Sequence, residues 1–491
     1  MSERVSRRRL IKGAAAAATT AAAAAVVVAF DPISRSWATA AGSATVSVPA
    51  LDGTLTTDPA AMQEAADDYG HIVHRLPVAV LRPGSVNDIV VMVRYAREQR
   101  LKIAMRGQGH VCYGQAQVDA GIVIDSRTLN AVHLILPDRA VVGPGLTWGE
   151  LLRATVLQGL TPPVLTDYMG LSIGGTLSTG GIGGATQHYG VQVDTVLELQ
   201  VVTGRGDLVT CSPLLNRDLF DAVLAGLGQY GIIVRATVAL VPAPVLTLVF
   251  NLYYNDLESY LADQLMLLRD ARFSYLEGQV NPPQVGPGWR YMIEAVSYYT
   301  LPNLPNQVAL LDGLHDDRLS AVIKTGTYLD WAFRLEPFIA AFKVNGDWTR
   351  PHPLLDLFVP ASQAATVVGN ALATLTPTDI GVGPILLYPA NTARFTRPLF
   401  RVPDEPEIFL FSLLRTTANS DPALLSSQLA SNRALYNANV AAGGTWYPIG
   451  AISDYSQSDW RQHYGRMWNR VVSGKRSYDP DTVLTPGQRM F

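Results

Sequence analysis

From residue 78 onward, the hydrophobic positions alternate between short continuous runs and a helical spacing. Continuous apolar runs predict strands at residues 78–81, 101–105 and 121–125. Between the first two runs, apolar side chains recur every three or four residues, which places them on one face of a helix. The members of that face are Ile89, Met92, Val93 and Ala96. This part of the chain therefore predicts alternating strands and helices.

Two hydroxyl residues are followed, three positions later, by an acid, as in the capping box that opens a helix. These pairs are Ser85 with Asp88 and Thr147 with Glu150. The second pair precedes a helical run over residues 151–158, which Gly159 is placed to end. Both pairs predict capped helix starts.

The later patterns mix a hairpin with helices and strands. A long apolar run over residues 195–210 reverses at Gly204-Arg205-Gly206, which predicts a β-hairpin. Further elements are predicted as a helix over 216–225, a strand over 232–240, tyrosine-bearing strands at Tyr253-Tyr254 and Tyr298-Tyr299, and a long helix over 422–442. Together these elements predict an α+β fold.

The first forty residues form a segment of their own. The run Ser6-Arg7-Arg8-Arg9-Leu10-Ile11-Lys12 fits the twin-arginine export pattern. An alanine-rich apolar stretch follows over residues 14–30, and Ala38-Thr39-Ala40 offers a cleavage site. We therefore expect residues 1–40 to be a twin-arginine signal peptide and the mature protein to be exported and free of the membrane. The alternative is an uncleaved membrane anchor.

Composition narrows the function classes. Of 491 residues, 48% are hydrophobic and 16% are charged, which is typical of a globular chain with sizeable cores. A formal net charge of −3 gives no basic footprint for a nucleic acid. The two cysteines, Cys112 and Cys211, predict either one disulfide or two free thiols. The eight histidines show no paired metal-ligand spacing, so we expect no metal site.

Two segments are unusually rich in glycine. Residues 106–115 follow a predicted strand and contain His110, and residues 174–184 hold six glycines within eleven positions. Glycines at this density let the backbone approach a ligand closely and direct N–H groups at an anion such as a pyrophosphate. Both segments within one domain favour a nucleotide cofactor.

Two other glycine strings imitate known motifs. The string over residues 226–231 matches a dinucleotide fingerprint, but it lies after a helix and before a strand, the reverse of the required context. The string Gly170-Leu171-Ser172-Ile173-Gly174 matches a hydrolase nucleophile elbow. That motif needs a helix directly after the serine, and the glycine-rich run predicts none there. We therefore expect neither activity.

Several segments of the chain resemble those of a known family more specifically. The loop over 106–115 and the double-glycine segment are similar to the FAD domain of the vanillyl-alcohol oxidase superfamily, and within it to the cytokinin dehydrogenases. The segments that carry this resemblance are Thr166-Asp167-Tyr168, residues 174–178, 196–204, 209–212, 216–220 and 226–233, Pro351-His352-Pro353, residues 357–360 and 383–391, and residues 478–480 and 484–488. They cover nearly all of the chain that follows the signal segment.

The resemblance implies an architecture of two domains. Residues 45–243 would form a two-subdomain FAD-binding domain of the PCMH type. Residues 244–449 would form a substrate domain, with an antiparallel sheet and flanking helices. Residues 450–491 would return to the FAD domain.

The resemblance also implies site residues. His110 would bond FAD covalently, and Asp167 would be the catalytic acid–base residue. The other cofactor contacts would be Met105, Gly107, Gln108, Gly109, Val111, Gln115, Ser172, Ser178, Ile182, Ile233, Thr485 and Gln488, with Asp167 also among them. Asn391 and Phe395 would contact the substrate.

The chain departs from the plant pattern at four of its residues. Gln108 stands where arginine is common, Val111 where serine is common, and Leu165 and Phe395 where tryptophan is common. The family implies oxidation of a secondary amine such as an N6-isoprenoid adenine, with oxygen or a quinone as electron acceptor. The alternatives are oxidation of an alcohol, sugar or secondary metabolite, and a secreted flavin-binding protein without catalysis. The presence of Asp167 favours an enzyme over a flavin-binding protein without catalysis.

Overall fold

The computed structural model describes residues 27–31, 36–39, 46–282 and 288–491. The twin-arginine run lies outside these residues, as does most of the predicted signal peptide. The chain divides into two units, and the first unit ends at Val48. Its described part is a three-stranded antiparallel sheet of β1 (Val27–Asp31), β2 (Ser36–Thr39) and β3 (Val46–Ser47). Within the described ranges, no helix combines the length and the apolar character that crossing a membrane requires.

Residues 49–491 form the second unit, which begins with a small sheet covered by helices. Its strands are β4 (Thr54–Thr56), β5 (Ala79–Arg82), β6 (Ile103–Arg106) and β7 (Ile122–Asp125), and its helices are α1 (Pro59–Ala65) and α2 (Val86–Glu98). The spatial order is β4-β5-β7-β6, with β5, β7 and β6 parallel. The predicted apolar face of α2 is fully buried, because a helix between parallel strands must cover their sheet.

The capping box predicted at Ser85 was wrong. Ser85 precedes α2 but makes no capping hydrogen bond. The carboxylate of Asp88 instead accepts backbone N–H bonds from Asp52 (2.7 Å), Gly53 (2.7 Å) and Gly84 (2.8 Å). Asp88 thus fastens the segment before β4 to the start of α2. Three donors from two separate turns satisfy the carboxylate better than the single N–H that a capping box offers.

The next layer is a five-stranded antiparallel sheet of order β12-β11-β13-β9-β8, beside a short β10–β14 pair. Its strands are β8 (Val132–Leu136), β9 (Arg139–Val142), β10 (Leu160–Thr161), β11 (Val196–Thr203), β12 (Leu208–Cys211), β13 (Gly231–Ala239) and β14 (Val241–Pro242). Its helices are α3 (Trp148–Val156), α4 (Ile173–Thr179), α5 (Thr186–Tyr189) and α6 (Arg217–Val223). The predicted hairpin is confirmed, with Val202 opposite Leu208.

In this layer, one prediction from a local sequence signal is confirmed and one is wrong. The capping box of Thr147 and Glu150 forms at α3 as predicted. The expectation that no helix follows Ser172 was wrong, because α4 begins at the next residue. The nucleophile elbow still fails, since residues 162–171 contain no strand to lead into the serine. Cys112 and Cys211 are free, buried thiols.

A second, larger layer is an eight-stranded antiparallel sheet with helices packed on it. Its strands are β15 (Leu246–Tyr254), β16 (Tyr275–Asn281), β17 (Arg290–Tyr299), β18 (Val322–Thr327), β19 (Leu355–Pro360), β20 (Ile385–Asn391), β21 (Glu407–Leu413) and β22 (Thr445–Trp446). Its helices are α7 (Leu257–Asp270), α8 (Gln307–Leu311), α9 (Tyr328–Ala332), α10 (Glu336–Val344), α11 (Ala364–Thr374), α12 (Pro377–Ile380) and α13 (Pro422–Ala441). The spatial order is β18-β15-β17-β16-β20-β21-β19-β22.

The C-terminal segment returns to the first sheet through α14 (Gln457–Tyr464) and α15 (Trp468–Tyr478). Leu484 pairs with Ile103 of β6 in a parallel bridge. Ile103 N–H donates to Val483 O and Thr485 N–H donates to Ile103 O, each at 2.8 Å. The last residues thereby extend the edge of the first sheet. The fold is α+β, with one half built on the two smaller sheets and a second half built on the eight-stranded antiparallel sheet.

Candidate active site

One cleft lies between the smaller sheets and the eight-stranded sheet. Every residue that the sequence predicts as a cofactor contact lines this cleft, although these residues are spread from position 105 to position 488. The second domain contributes a floor of mostly apolar side chains from β19, β20 and β21 and the segments beside them. These are Leu354, Asp356, Leu386, Tyr388, Leu410, Ser412 and Leu414.

The loop over residues 107–115 begins where β6 ends, and its glycines permit a tight path. A Cβ at Gly107 would lie 2.1 Å from Ser172 Oγ, so only glycine lets the loop approach α4 this closely. Gly109 has a φ of +67°, which favours glycine for the same chain reversal. Ser126 Oγ donates to Arg106 O (3.0 Å) and fixes the start of the loop.

The start of α4 forms the opposite wall. The N–H groups of Ile173 and Gly174 donate to Leu146 O (2.9 Å) and Pro144 O (2.8 Å). They hold the preceding loop and are therefore not directed at an anion. Ser172 Oγ and the Gln488 amide face the cleft with no hydrogen bond to another described residue. These free polar groups and the glycine-built walls fit a long dinucleotide such as FAD.

His110 is fixed by aromatic contacts. Its ring stacks on Tyr69 at 4.0 Å between centroids, and Tyr69 stacks in turn on His352 at 4.3 Å. Tyr168 lies 5.0 Å away on another side. Within the described ranges, no hydrogen bond occupies either ring nitrogen of His110. Burial, reinforced by the neighbouring His352, lowers the pKa of His110 to about 3, so the imidazole is neutral at physiological pH.

Asp167 lies at the edge of the cleft inside a cluster of charged and phenolic groups. Its Oδ1 accepts hydrogen bonds from Tyr275 OH (2.5 Å) and Arg334 Nη2 (2.8 Å). Arg334 Nη2 also lies 3.5 Å from Glu277 Oε2, and its Nε lies 3.0 Å from Glu294 Oε1. One guanidinium therefore contacts three carboxyl groups, and the four groups together would carry a net charge of −2 if all were ionised.

Burial reduces this excess charge, because it favours the protonated form of both glutamates. Burial acts to raise the pKa of Asp167, but the charge of Arg334 and the hydrogen bonds of Glu277 and Tyr275 outweigh it and hold that pKa below its usual range. Burial and the charge of Asp167 raise the pKa of Glu277 well above its usual range. Burial also raises the pKa of Glu294. Asp167 is thus the ionised member and Glu277 keeps its proton.

A second cavity lies behind Asp167, and we call it the back cavity. It shares Thr166 and Asp167 with the cleft. Its aromatic walls are Tyr189, Tyr275, Tyr298, Tyr328 and Trp331. Asp167 therefore stands at the junction of two cavities, where a bound molecule in the cleft can reach its carboxylate.

The two predicted substrate contacts are not brought to the cleft. Asn391 Oδ1 accepts the N–H of Ala393 at 2.9 Å and so caps a short turn of helix. Phe395 packs edge-on against Phe400, with centroids 5.4 Å apart. Neither residue lines the cleft or the back cavity.

Sequence reasoning missed the partners of Asp167, namely Tyr275, Glu277, Glu294 and Arg334. One signal was available: Glu277 and Glu294 each stand in a strand-like run of buried residues. They lie directly opposite each other on β16 and β17. Two like charges in such a pair require a cation or a proton between them.

Comparison with known families identifies both halves of the chain. Residues 77–212 match the FAD binding domain family, and residues 283–491 match the family described as "Cytokinin dehydrogenase 1, FAD and cytokinin binding". The two matched segments include the loop of His110, Asp167 and the floor strands of the cleft.

Similar full-length proteins come from bacteria and plants. An uncharacterised oxidoreductase of the fasciation locus of Rhodococcoides fascians is 36% identical over 90% of this chain and 99% of its own. Cytokinin dehydrogenase 1 of rice is 34% identical over 90% of this chain and 92% of its own. The solved structure of 6-hydroxy-D-nicotine oxidase from Arthrobacter nicotinovorans is similar with a TM-score of 0.69 and 22% identity, over 89% of this chain and 98% of that one. The last comparison shows the shared fold.

Proposed function

Because this chain belongs to the cytokinin dehydrogenase family of FAD-dependent oxidoreductases, we propose that it oxidises a secondary amine of the N6-isoprenoid adenine type. The product would be an imine, which water splits into a primary amine and an aldehyde. The observation that carries this proposal is the carboxyl group of Asp167 at the edge of the cleft, where it accepts hydrogen bonds from Tyr275 and Arg334.

The cofactor has a clear place in the proposal. FAD, when bound, supplies the acceptor for a hydride and its two electrons. The neutral imidazole of His110 would hold it covalently, since an unprotonated ring nitrogen is the form that attacks an electron-poor carbon. Tyr69, which stacks on the His110 ring, and Tyr168, which lies tilted against it, restrain that ring in one orientation for the attack.

Asp167 would act on the substrate nitrogen. As the C–H bond beside an amine breaks, positive charge develops on that nitrogen, and its N–H becomes a stronger hydrogen-bond donor. An ionised carboxylate that accepts this bond stabilises the charge, more strongly in a partly desolvated site than in water. Glu277 keeps its proton beside Asp167 and so avoids a second negative charge at the same point.

The charge state of Asp167 favours an amine over an alcohol. Alcohol oxidation requires removal of a hydroxyl proton, for which a carboxylate with a lowered pKa is a weak base. Amine oxidation needs a fixed negative charge beside the nitrogen, which the pair of Asp167 and Arg334 maintains. Oxidation of an alcohol on this scaffold remains the alternative that a substrate test distinguishes.

The test is anaerobic bleaching of the flavin with a substrate panel. N6-isopentenyladenine should bleach the holoenzyme, and alcohols and sugars of similar size should not. Asp167→Asn should slow bleaching by roughly 10²- to 10⁴-fold with flavin content unchanged, because the charge is lost while the shape is kept. The exposed Asp138→Asn is the matched control and should behave as the wild type. Bleaching of Asp167→Asn at the wild-type rate would remove the main support for amine oxidation.

We also propose export through the twin-arginine pathway. The support is the run from Ser6 to Lys12 and the following alanine-rich stretch. That pathway carries folded proteins, which suits an enzyme that must acquire a cofactor before it leaves the cytoplasm.

A further inference from the structure

The floor of the cleft carries one charged group, and the proposed chemistry does not use it. Asp356 on β19 and Ser412 on β21 lie directly opposite each other in the eight-stranded sheet. Both side chains line the cleft and are almost fully buried, at 4% and 1% exposure. The other floor residues are four leucines and Tyr388. A carboxyl group in so apolar a surface needs an explanation.

Within the floor, only one of the two oxygens of the Asp356 carboxyl group accepts a hydrogen bond. Ser412 Oγ donates a hydrogen bond to Asp356 Oδ1. Oδ2 is buried and has no hydrogen-bond partner among the described residues. A buried polar oxygen without a partner destabilises a fold. Asp356 thus lacks one donor that a molecule in the cleft can supply.

We propose that Asp356, oriented by Ser412, is a specificity-determining residue that accepts a hydrogen bond from an N–H or O–H group of the substrate. The inference rests on the proposed function in naming a purine with an isoprenoid side chain. Contacts with the apolar floor do not fix the orientation of the purine ring or of its side chain. The carboxylate of Asp356 then selects substrates that carry a hydrogen-bond donor at the matching position. The donor is either the purine ring N–H or a hydroxyl on the side chain.

The groups that face Asp356 stay uncharged over the useful pH range. Burial raises the pKa of Cys112 and of Tyr388 well above their usual values, and that of Tyr447 to about 12. Burial raises the pKa of Asp356 itself to about 6, against the lowering effect of Ser412. The carboxyl therefore ionises between pH 5 and 7 roughly, and binding of a donor should tighten as the pH rises through that interval.

The experiment measures dissociation constants on the holoenzyme of the wild type and of Asp356→Asn, with Asp138→Asn as control. Three probes separate the two donors: N6-isopentenyladenine, its 9-methyl derivative, which lacks the ring N–H, and trans-zeatin, which adds a side-chain hydroxyl. The wild type should prefer the probe with the matching donor by about 10- to 100-fold. Asp356→Asn should erase most of that preference, because the amide lacks the negative charge and its single oxygen is the acceptor for Ser412 Oγ.

Each outcome decides the proposal. Loss of the preference for the ring N–H or for the hydroxyl supports it and identifies the donor. A preference that survives undiminished in Asp356→Asn overturns it. A changed flavin absorbance in ligand-free Asp356→Asn also overturns it, since Asp356 would then contact the cofactor.

If no purine binds, the proposed function fails. A measurement of stability then still tests the role of Asp356. The double variant Asp356→Val with Ser412→Ala removes the buried polar pair from the floor. Ligand-free holoenzyme of this variant should melt at a higher temperature than the wild type, because Asp356 is then kept for a ligand and not for the fold. A lower melting temperature would assign Asp356 to structure and overturn the proposal.

Discussion

At the scale of single residues, the site depends on side chains whose charge is set by burial. His110 is neutral because its burial and His352 both oppose protonation. Asp167 is ionised because Arg334 outweighs the effect of burial. One residue is thereby suited to bond a carbon atom and the other to stabilise a cation. Neither state follows from the residue type alone.

The first prediction at this scale concerns His110→Ala. We expect the wild-type protein to retain fluorescent flavin on a denaturing gel, because the neutral imidazole would be joined to the cofactor. His110→Ala should release the flavin on denaturation, and the exposed His133→Ala should retain it. Free FAD in the supernatant of denatured wild-type protein would show that His110 only contacts the cofactor.

At the scale of elements, the C-terminal return locks the cofactor half together. Lys475 of α15 and Asp479 form a buried ion pair, with 2.7 Å between Nζ and Oδ2. Lys475 is 3% exposed and Asp479 is 0% exposed. Asp479 also accepts the N–H groups of Val483 (2.8 Å) and Leu484 (2.9 Å). Lys475 Nζ donates to Gln229 O at 3.0 Å. This pair therefore positions the segment that carries Thr485 and Gln488 into the cleft.

The prediction for this element is a large loss of stability in Asp479→Ala. The variant leaves a buried ammonium group without its counter-ion and two N–H groups without an acceptor, which should lower the free energy of unfolding by about 3–5 kcal/mol. Denaturant unfolding of the holoenzyme measures the change. The double variant Lys475→Met with Asp479→Leu should recover part of the loss, since no buried charge remains. If the double variant recovers nothing, the backbone hydrogen bonds and not the ion pair hold the segment.

At the scale of the whole molecule, two different sheets build one cleft. Contacts between the halves are made at the loop of His110: Cys112 N–H donates to Ile449 O (3.1 Å), and His352 N–H donates to Gly70 O (2.8 Å). The cofactor half supplies the glycine-built walls, and the second half supplies the apolar floor. Asp167 therefore lies between the two halves, where the cleft meets the back cavity.

The prediction at this scale concerns the electron acceptor. The resemblance to plant cytokinin dehydrogenases implies that a quinone accepts electrons faster than oxygen does. Stopped-flow reoxidation should therefore be faster with a soluble benzoquinone than in air-saturated buffer. Reducing the enzyme with dithionite beforehand removes the identity of the substrate from the comparison. Faster reoxidation by oxygen would make the protein an oxidase.

The sequence by itself determined the elements whose signals are local. The hairpin over 195–210, the capped start of α3 and the glycine loop that carries His110 depend on neighbours within a few positions, so their residue types indicate them directly. The motifs of the family were local in the same sense, and they predicted the cofactor half and the residues that line its cleft. The family resemblance also provided the order of the domains.

Only the tertiary structure decided which distant groups meet. Asp88 does not take its predicted capping role, because N–H groups of the segment before β4 donate to its carboxylate. A helix begins directly after Ser172, although the glycines that follow did not indicate one. The partners of Asp167 lie more than 100 positions away in the chain, at Tyr275, Glu277 and Arg334. Charge states in such a cluster depend on burial and on distances between groups. The packing of the two sheets fixes both, and neither is encoded in the order of neighbouring residues.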